Sequence, residues 1–283
     1  MVNLEAYFAR IGYPGPHEPT LDALKAVCAG HASAIAFENI DPLLGRTPDL
    51  ALPALHEKLV EQGRGGYCFE HNTLLAEVLA RLGMTVTKLS GRVVWMMPAA
   101  APATPRTHML LKVEVPDAKG SSFIVDAGFG GQLFDAPLLL APGQEQRTPN
   151  SVMRITCEND THTAEVLLPQ GWVPMYRFTL EAHLPVDYEP LNWFTAAHPS
   201  SLFRHNLLIQ ILGPDGRTNL LNDKLMRIPA GGLPELRRIE DVRDFETVLG
   251  QVFKIRLPVP AGALFERVPK GLDNVFIPAS DSH

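Results

Sequence analysis

The chain has 283 residues, 46% hydrophobic and 20% charged, and its 25 Lys and Arg against 31 Asp and Glu leave a net charge of −6 at pH 7. That composition excludes wholesale disorder and gives enough apolar material for a proper core, at a length that predicts about two compact units. The acidic balance argues against nucleic acid and against an anionic membrane surface as partners, both of which call for a basic stripe.

In chain order, Asn3 caps a short predicted helix that ends near Gly12, and Thr20 caps a second with Leu21, Leu24, Val27 and Cys28 on one face. A third helix is predicted over 53–62, with Gly63 beyond its end. A fourth begins near Cys68, carries Leu74, Leu75, Val78, Leu79 and Leu82, and stops at Gly83. After Gly83 the period changes. Segments 85–97, 109–115, 122–126, 152–157, 163–168 and 173–180 are rich in β-branched and apolar residues and read as strands. Strands that follow strands without intervening helices predict an α+β protein, not a parallel βαβ sheet. A last helix is predicted from Val242 to about Val252, with Glu240 and Asp241 ahead of it. Segments 98–105 and 137–149 read as connectors. No run of 18 apolar residues predicts a spanning helix, and the first twelve residues lack the pattern of a signal peptide. The expected location is the cytoplasm, where a lone thiol stays reduced.

Several motifs fail. His56-Glu57 opens an H-E-x-x-H pattern, but the fifth position is Val60. The glycines at 128, 130 and 131 follow a strand but precede no clear helix, which argues against a dinucleotide site. The three cysteines form no C-x-x-C pair, and the histidines show no ligand spacing, so no metal site is expected.

The informative stretch is Arg64-Gly65-Gly66-Tyr67-Cys68-Phe69-Glu70. Its glycines free the backbone for a tight turn and deliver Cys68 to the first turn of a helix, where unpaired N–H groups and the helix dipole favour a thiolate. Position alone fits a buried core cysteine equally well, the reading given to Cys28 and Cys157. A reactive cysteine needs a base and a group to orient that base. His108 heads one predicted strand and Asp126 ends the next, so adjacent antiparallel strands can bring the two together.

Taken with Ala36-Phe37-Glu38-Asn39 upstream, Val125-Asp126-Ala127-Gly128-Phe129-Gly130-Gly131, and His198-Pro199-Ser200-Ser201-Leu202-Phe203 downstream, these motifs resemble, in order, those of the arylamine N-acetyltransferases. Ala36 departs from the family's usual proline and Ala127 from its common valine. The resemblance implies a papain-like cysteine-protease-type core: a helical bundle over 1–84, a β-barrel over 85–190 and an α/β lid over 191–283. It implies Cys68 as nucleophile, His108 as base and Asp126 as orienter. It also implies an ion pair of Glu38 with Arg64, two residues that read on their own as surface charges. Phe37, Tyr67, Phe129 and Phe203 are the candidate substrate walls, and Trp95, Gly130 and Gly131 the candidate contacts for acetyl-CoA. The partners expected are acetyl-CoA and arylamine or hydrazine small molecules, acting on a monomer or homodimer. A thiol hydrolase with the same triad, or a non-catalytic protein that binds CoA or aromatic compounds, stands as the alternative.

Overall fold

A computed structural model describes residues 2–98, 101–230 and 232–270. Helix α1 (Leu4–Ile11) is capped by the Asn3 side chain and ended by Gly12 in the left-handed conformation, φ 66°. Helix α2 (Leu21–Ala34) is capped by Thr20, and the short strand β1 (Phe37–Glu38) and helix α3 (Ile40–Leu43) follow. The helix predicted over 53–62 is α4 (Leu52–His56), continued by a wider π-helical turn, Glu57–Glu61, that carries Lys58. Helix α5 (Cys68–Arg81) completes the bundle.

Eight strands come next: β2 (Thr85–Val93), β3 (His108–Glu114), β4 (Ser122–Val125), β5 (Leu138–Leu139), β6 (Gln146–Arg147), β7 (Val152–Glu158), β8 (Thr161–Leu168) and β9 (Gly171–Phe178). They form one antiparallel sheet in the order β5-β4-β3-β2-β9-β8-β7-β6, curled into a nearly closed barrel. A side chain bridges the seam. Gln146 Oε1 accepts from the Leu139 N–H at 2.7 Å and its Nε2 donates to the Leu139 carbonyl at 2.8 Å, as a facing strand would. Leu110 and Ile124 point into the barrel, whereas Met109, Leu111, Val113, Phe123 and Val125 pack with the helices. Strands covered on both faces read as unbroken apolar runs, which is how 109–111 reads before Lys112 and Glu114 restore the alternation.

The remaining elements are α6 (Pro185–Ala197), α7 (Leu202–His205), β10 (Leu208–Gly213), β11 (Gly216–Leu221), β12 (Lys224–Pro229), β13 (Glu235–Arg238), α8 (Val242–Thr247), a π-helical turn over Val248–Val252 and α9 (Ala261–Phe265). A second sheet runs β1-β10-β11-β12-β13, so the N-terminal segment supplies its edge. One face, with Ile209, Ile211 and Leu220, packs on Phe245, Leu249 and Phe253. The fold is α+β. Among the described residues no helix is long and apolar enough to cross a membrane.

Some expectations change. The strand predicted over 85–97 ends at Val93, so Trp95 stands in the following turn. The connector 137–149 contains β5 and β6. Cys157 shares the inward parity of Met153 and Ile155, but it stands where the β7–β8 hairpin outruns the core and is exposed, so the core reading fails for it. Residues 99–100 of the first connector and 271–283 of the last segment lie outside the described residues.

Candidate active site

Cys68 is the first residue of α5, at the foot of a turn tied to β1: the Glu38 N–H donates to the Gly66 carbonyl at 2.7 Å. The Glu70 carboxylate reaches back to accept from the Tyr67 N–H at 3.0 Å, capping the helix start. Turn and helix approach so closely that a Cβ on Gly66 would stand 2.8 Å from Glu70 Cβ. On the other side, a Cβ on Gly128 would overlap the Cys68 Cα, so only glycine lets the 126–131 loop lie against the nucleophile's backbone.

His108 opens β3, and Asp126 directly follows β4. His108 Nε2 lies 2.6 Å from Asp126 Oδ2, with both side chains buried. The carboxylate therefore takes one ring nitrogen and leaves Nδ1 available to the Cys68 sulfur, whose recorded hydrogen bond runs to the carbonyl of Thr107, the residue before His108, at 3.7 Å. Burial pulls the imidazole's pKa down, but the Asp126 carboxylate and the Cys68 sulfur outweigh it and raise it to about 10. Burial raises the Asp126 carboxyl in turn, but His108, Asn72 and the Gly128 N–H together hold it below the usual carboxylate range. The imidazole is thus an imidazolium near neutral pH, opposite a carboxylate.

Two residues that sequence reasoning missed complete this arrangement. Asn72 lies one turn along α5 from Cys68 and bonds three ways: Nδ2 donates to Asp126 Oδ1 at 3.0 Å and to the Met109 carbonyl at 2.7 Å, and Oδ1 accepts from the Ala127 N–H at 3.1 Å. An Asn four residues after a candidate nucleophile, on an otherwise apolar helix face, was the available signal. Tyr176, inside the barrel, sets its ring 4.7 Å from the His108 ring, and Phe129 approaches that imidazole edge-on at 5.3 Å. Burial and the neighbouring Asp126 push the Tyr176 phenol well above its ordinary range.

Beneath the turn lies a buried charge cluster. Arg64 donates to Glu38 Oε1 from Nε at 3.1 Å and from Nη2 at 2.8 Å, and to Asp41 Oδ2 at 3.1 Å. Lys58 Nζ is 2.6 Å from Asp41 Oδ2 and 2.6 Å from Glu70 Oε1. Burial, with Glu38 adding to it, raises the Glu70 carboxyl to about 7 against the pull of Lys58 and the Tyr67 N–H.

The aromatic candidates fall into two groups. Phe203 packs on Phe37 at 6.0 Å and on Tyr67 at 5.9 Å. Tyr67 is wholly buried and its hydroxyl donates to Asn192, so it backs this group from the core. Phe129 joins Trp95 at 6.0 Å. Trp95, Gly130 and Gly131 line a largely apolar cleft of about 440 Å³ between the barrel and the barrel-facing side of β10–β13.

A sulfur on a helix N-terminus, an imidazole at a strand start and a carboxylate at the end of the adjacent strand form a papain-like arrangement, suited to acyl transfer through sulfur. A family model described as N-acetyltransferase matches residues 20–261. The chain is 42% identical over 237 residues to an arylamine N-acetyltransferase of Mycolicibacterium smegmatis, covering 83% of this chain and 86% of that one. It is 40% identical over 251 residues to one of Escherichia coli, covering 88% of each. The solved structure of Mycobacterium marinum arylamine N-acetyltransferase in complex with CoA superposes with a TM-score of 0.89 at 38% identity, over 94% of this chain and 99% of that one.

Proposed function

The chain belongs to the arylamine N-acetyltransferase family, and on that premise we propose that it moves an acetyl group from acetyl-CoA to the nitrogen of arylamines and arylhydrazines in two steps through Cys68. The observation that carries this reading is the buried His108–Asp126 pair, 2.6 Å apart, beside Cys68, whose Sγ lies 3.7 Å from the Thr107 carbonyl at the head of the same strand.

In the first step the Cys68 thiolate attacks the thioester carbonyl. Backbone N–H groups at the start of α5, which lack intrahelical partners, face the charge that develops on its oxygen. CoA leaves as the thiol with the His108 proton. Exchange of one thioester for another is close to energy-neutral, so the acetyl-enzyme accumulates. In the second step the amine attacks the acetyl-cysteine, His108 takes the amine proton, and the Cys68 thiolate leaves. An aryl nitrogen is unprotonated at pH 7 and keeps its lone pair, whereas an alkylamine, like Lys, is an ammonium. Phe37, Phe129 and Phe203, with Tyr67 behind them, exclude water from the acetyl-cysteine. Trp95, Gly130 and Gly131 line one cleft, which is what assigns them to the path of CoA; the M. marinum relative solved in complex with CoA supports CoA as the carrier.

Incubation with acetyl-CoA alone, followed by peptide mass spectrometry, tests the reading. The expected result is one acetyl group on Cys68 that an arylhydrazine removes and that Cys68→Ser lacks. An adduct that water discharges as fast as the hydrazine would identify a thiol hydrolase, and no adduct on Cys68 would end the proposal.

A further inference from the structure

Five charged side chains meet beneath the turn that carries Cys68: Glu38 of β1, Asp41 of α3, Lys58 of the π-helical turn, Arg64, and Glu70 of α5. Three acids face two bases. Arg46, the next cation, reaches only Asp41 Oδ1, at 4.0 Å, from a largely exposed position. The buried group therefore holds one negative charge more than its cations balance, and a buried charge without its full complement is costly.

The contacts decide which acid gives way. Asp41 Oδ2 takes both Lys58, at 2.6 Å, and Arg64, at 3.1 Å, and the two cations hold its carboxyl below the usual range against burial. Glu38 takes two N–H groups of Arg64 and the Ile40 N–H. Glu70 has a single cation, Lys58, and shares it with Asp41. Burial and Glu38 accordingly raise its carboxyl to about 7. His71, which faces the cluster from the same helix, is lowered to about 4 and stays neutral at pH 6 and above, and the Tyr67 phenol is pushed well up.

The geometry around Glu70 has no place for a proton. Its Oε1 accepts from Lys58 Nζ at 2.6 Å and its Oε2 from the Tyr67 N–H at 3.0 Å. Both oxygens face donors, and protonation turns one of them into a further donor, so one of the two bonds must open. Either break cuts the link from Lys58 through Glu70 to the residue bonded directly to Cys68. Cys68 is held between this cap and the 126–131 loop, where Gly128 lies against its Cα. A shift of the cap therefore moves the sulfur relative to His108, and misplacement of a reacting atom by about 1 Å is enough to slow a reaction severely.

We propose that Glu70 is a positioning residue for Cys68 and makes acyl transfer pH-dependent: its carboxylate clamps the turn to Lys58, and proton uptake opens the clamp and slows the transfer. This rests on the acetyl-transfer reading above and adds a regulation of that site. The direction is specific. Charge alone would act the other way, because neutralising a carboxylate near a thiolate favours the thiolate.

The test is the rate at which the full chain, without acceptor, takes an acetyl group onto Cys68 between pH 6 and pH 8. The donors are acetyl-CoA and p-nitrophenyl acetate, the second of which has no group that titrates in this window. Alkylation of Cys68 by iodoacetamide reports the thiolate separately. One pH unit below a midpoint near 7 about a tenth of the carboxylate remains, so both acetylation rates are expected to fall about tenfold from pH 8 to pH 6. Alkylation is expected to stay within about twofold, because His108, raised to about 10, keeps the thiolate paired. Glu70→Gln, whose one amide oxygen serves only one of the two donors, is expected to hold the wild type's pH 6 rate throughout. A level wild-type profile with p-nitrophenyl acetate overturns the proposal without any variant. So does alkylation that falls in step with acetylation, or a Glu70→Gln profile that falls as the wild type's does. Wild-type protein that takes no acetyl group from either donor at pH 8 defeats the acetyl-transfer reading itself, and this proposal with it.

Discussion

At the scale of single residues, the ion-paired groups beneath the turn that carries Cys68 matter more to folding than their charge alone suggests. Glu38 is 1% exposed, and one of its oxygens holds the Ile40 N–H at 2.6 Å while the other takes both nitrogens of Arg64. Removing one member of a buried pair strands the other charge, at a typical cost of about 3–5 kcal/mol. Arg64→Ala is therefore expected to lower the melting temperature sharply, while the folded fraction keeps most of its turnover. Lost turnover with unchanged melting would mean that Arg64 acts on the chemistry directly. The motif around Arg64 was legible as a string of letters, but not the partners beneath it. Asp41 and Lys58 belong to no motif and meet Arg64 and Glu70 only in three dimensions.

At the scale of elements, three helices are joined by one buried hydrogen-bonded chain. Tyr7 of α1 reaches His31 Nδ1 of α2 at 2.7 Å, His31 Nε2 reaches His71 Nδ1 of α5 at 2.7 Å, and His71 Nε2 reaches the Ala36 carbonyl at 3.1 Å. A carbonyl only accepts, which sets every proton: His71 donates to Ala36, His31 to His71, and the Tyr7 hydroxyl to His31. Both imidazoles must then be neutral. Burial lowers His71 to about 4 despite the Ala36 bond, and burial and His71 lower His31 well below 6.5. The unfolded chain binds these protons near pH 6.5 and the folded chain does not, so stability falls as pH drops from 6.5 toward 4. For His71 alone the loss approaches about 3 kcal/mol. Over the same window the Glu70 carboxyl, raised to about 7, takes up a proton that the unfolded chain binds only at lower pH, and so opposes this loss. The histidine share is read as the difference between the wild-type and His71→Gln melting profiles, and two parallel profiles would contradict the buried neutral pair. Helices α1, α2 and α5 were readable because caps and apolar stripes are local signals. Helix α6 was not, because its apolar residues are split between a core contact through Tyr188 and exposed Val186 and Trp193.

At the scale of the whole molecule, Asn39 locks the N-terminal bundle to the second sheet. Its Nδ2 donates to the Phe203 carbonyl at 2.9 Å and to the Asn206 carbonyl at 2.7 Å, and its Oδ1 accepts from the Leu208 N–H at 2.7 Å. Asn39→Ala leaves three backbone groups without that partner, at about 1–3 kcal/mol for each one that stays buried and unpaired. Hydrogen exchange should quicken over residues 203–213 while α1 and α2 keep their protection. Equal acceleration everywhere would show that Asn39 supports global stability and not this junction.

The sequence by itself determined which residues carry the chemistry-bearing motifs, the change from helical to strand period after Gly83, and an α+β fold. These are encoded in neighbours a few positions apart, where caps, glycines and apolar period act. Only the tertiary structure decided what depends on residues far apart in the chain. The β1 edge of the second sheet joins Phe37 to Gln210, the Gln146 bridge closes the barrel seam, and Asn72 and Tyr176 come to His108 and Asp126 from another helix and another strand. Hydrogen bonds and ring contacts of this kind act over a few ångströms and have no period along the chain.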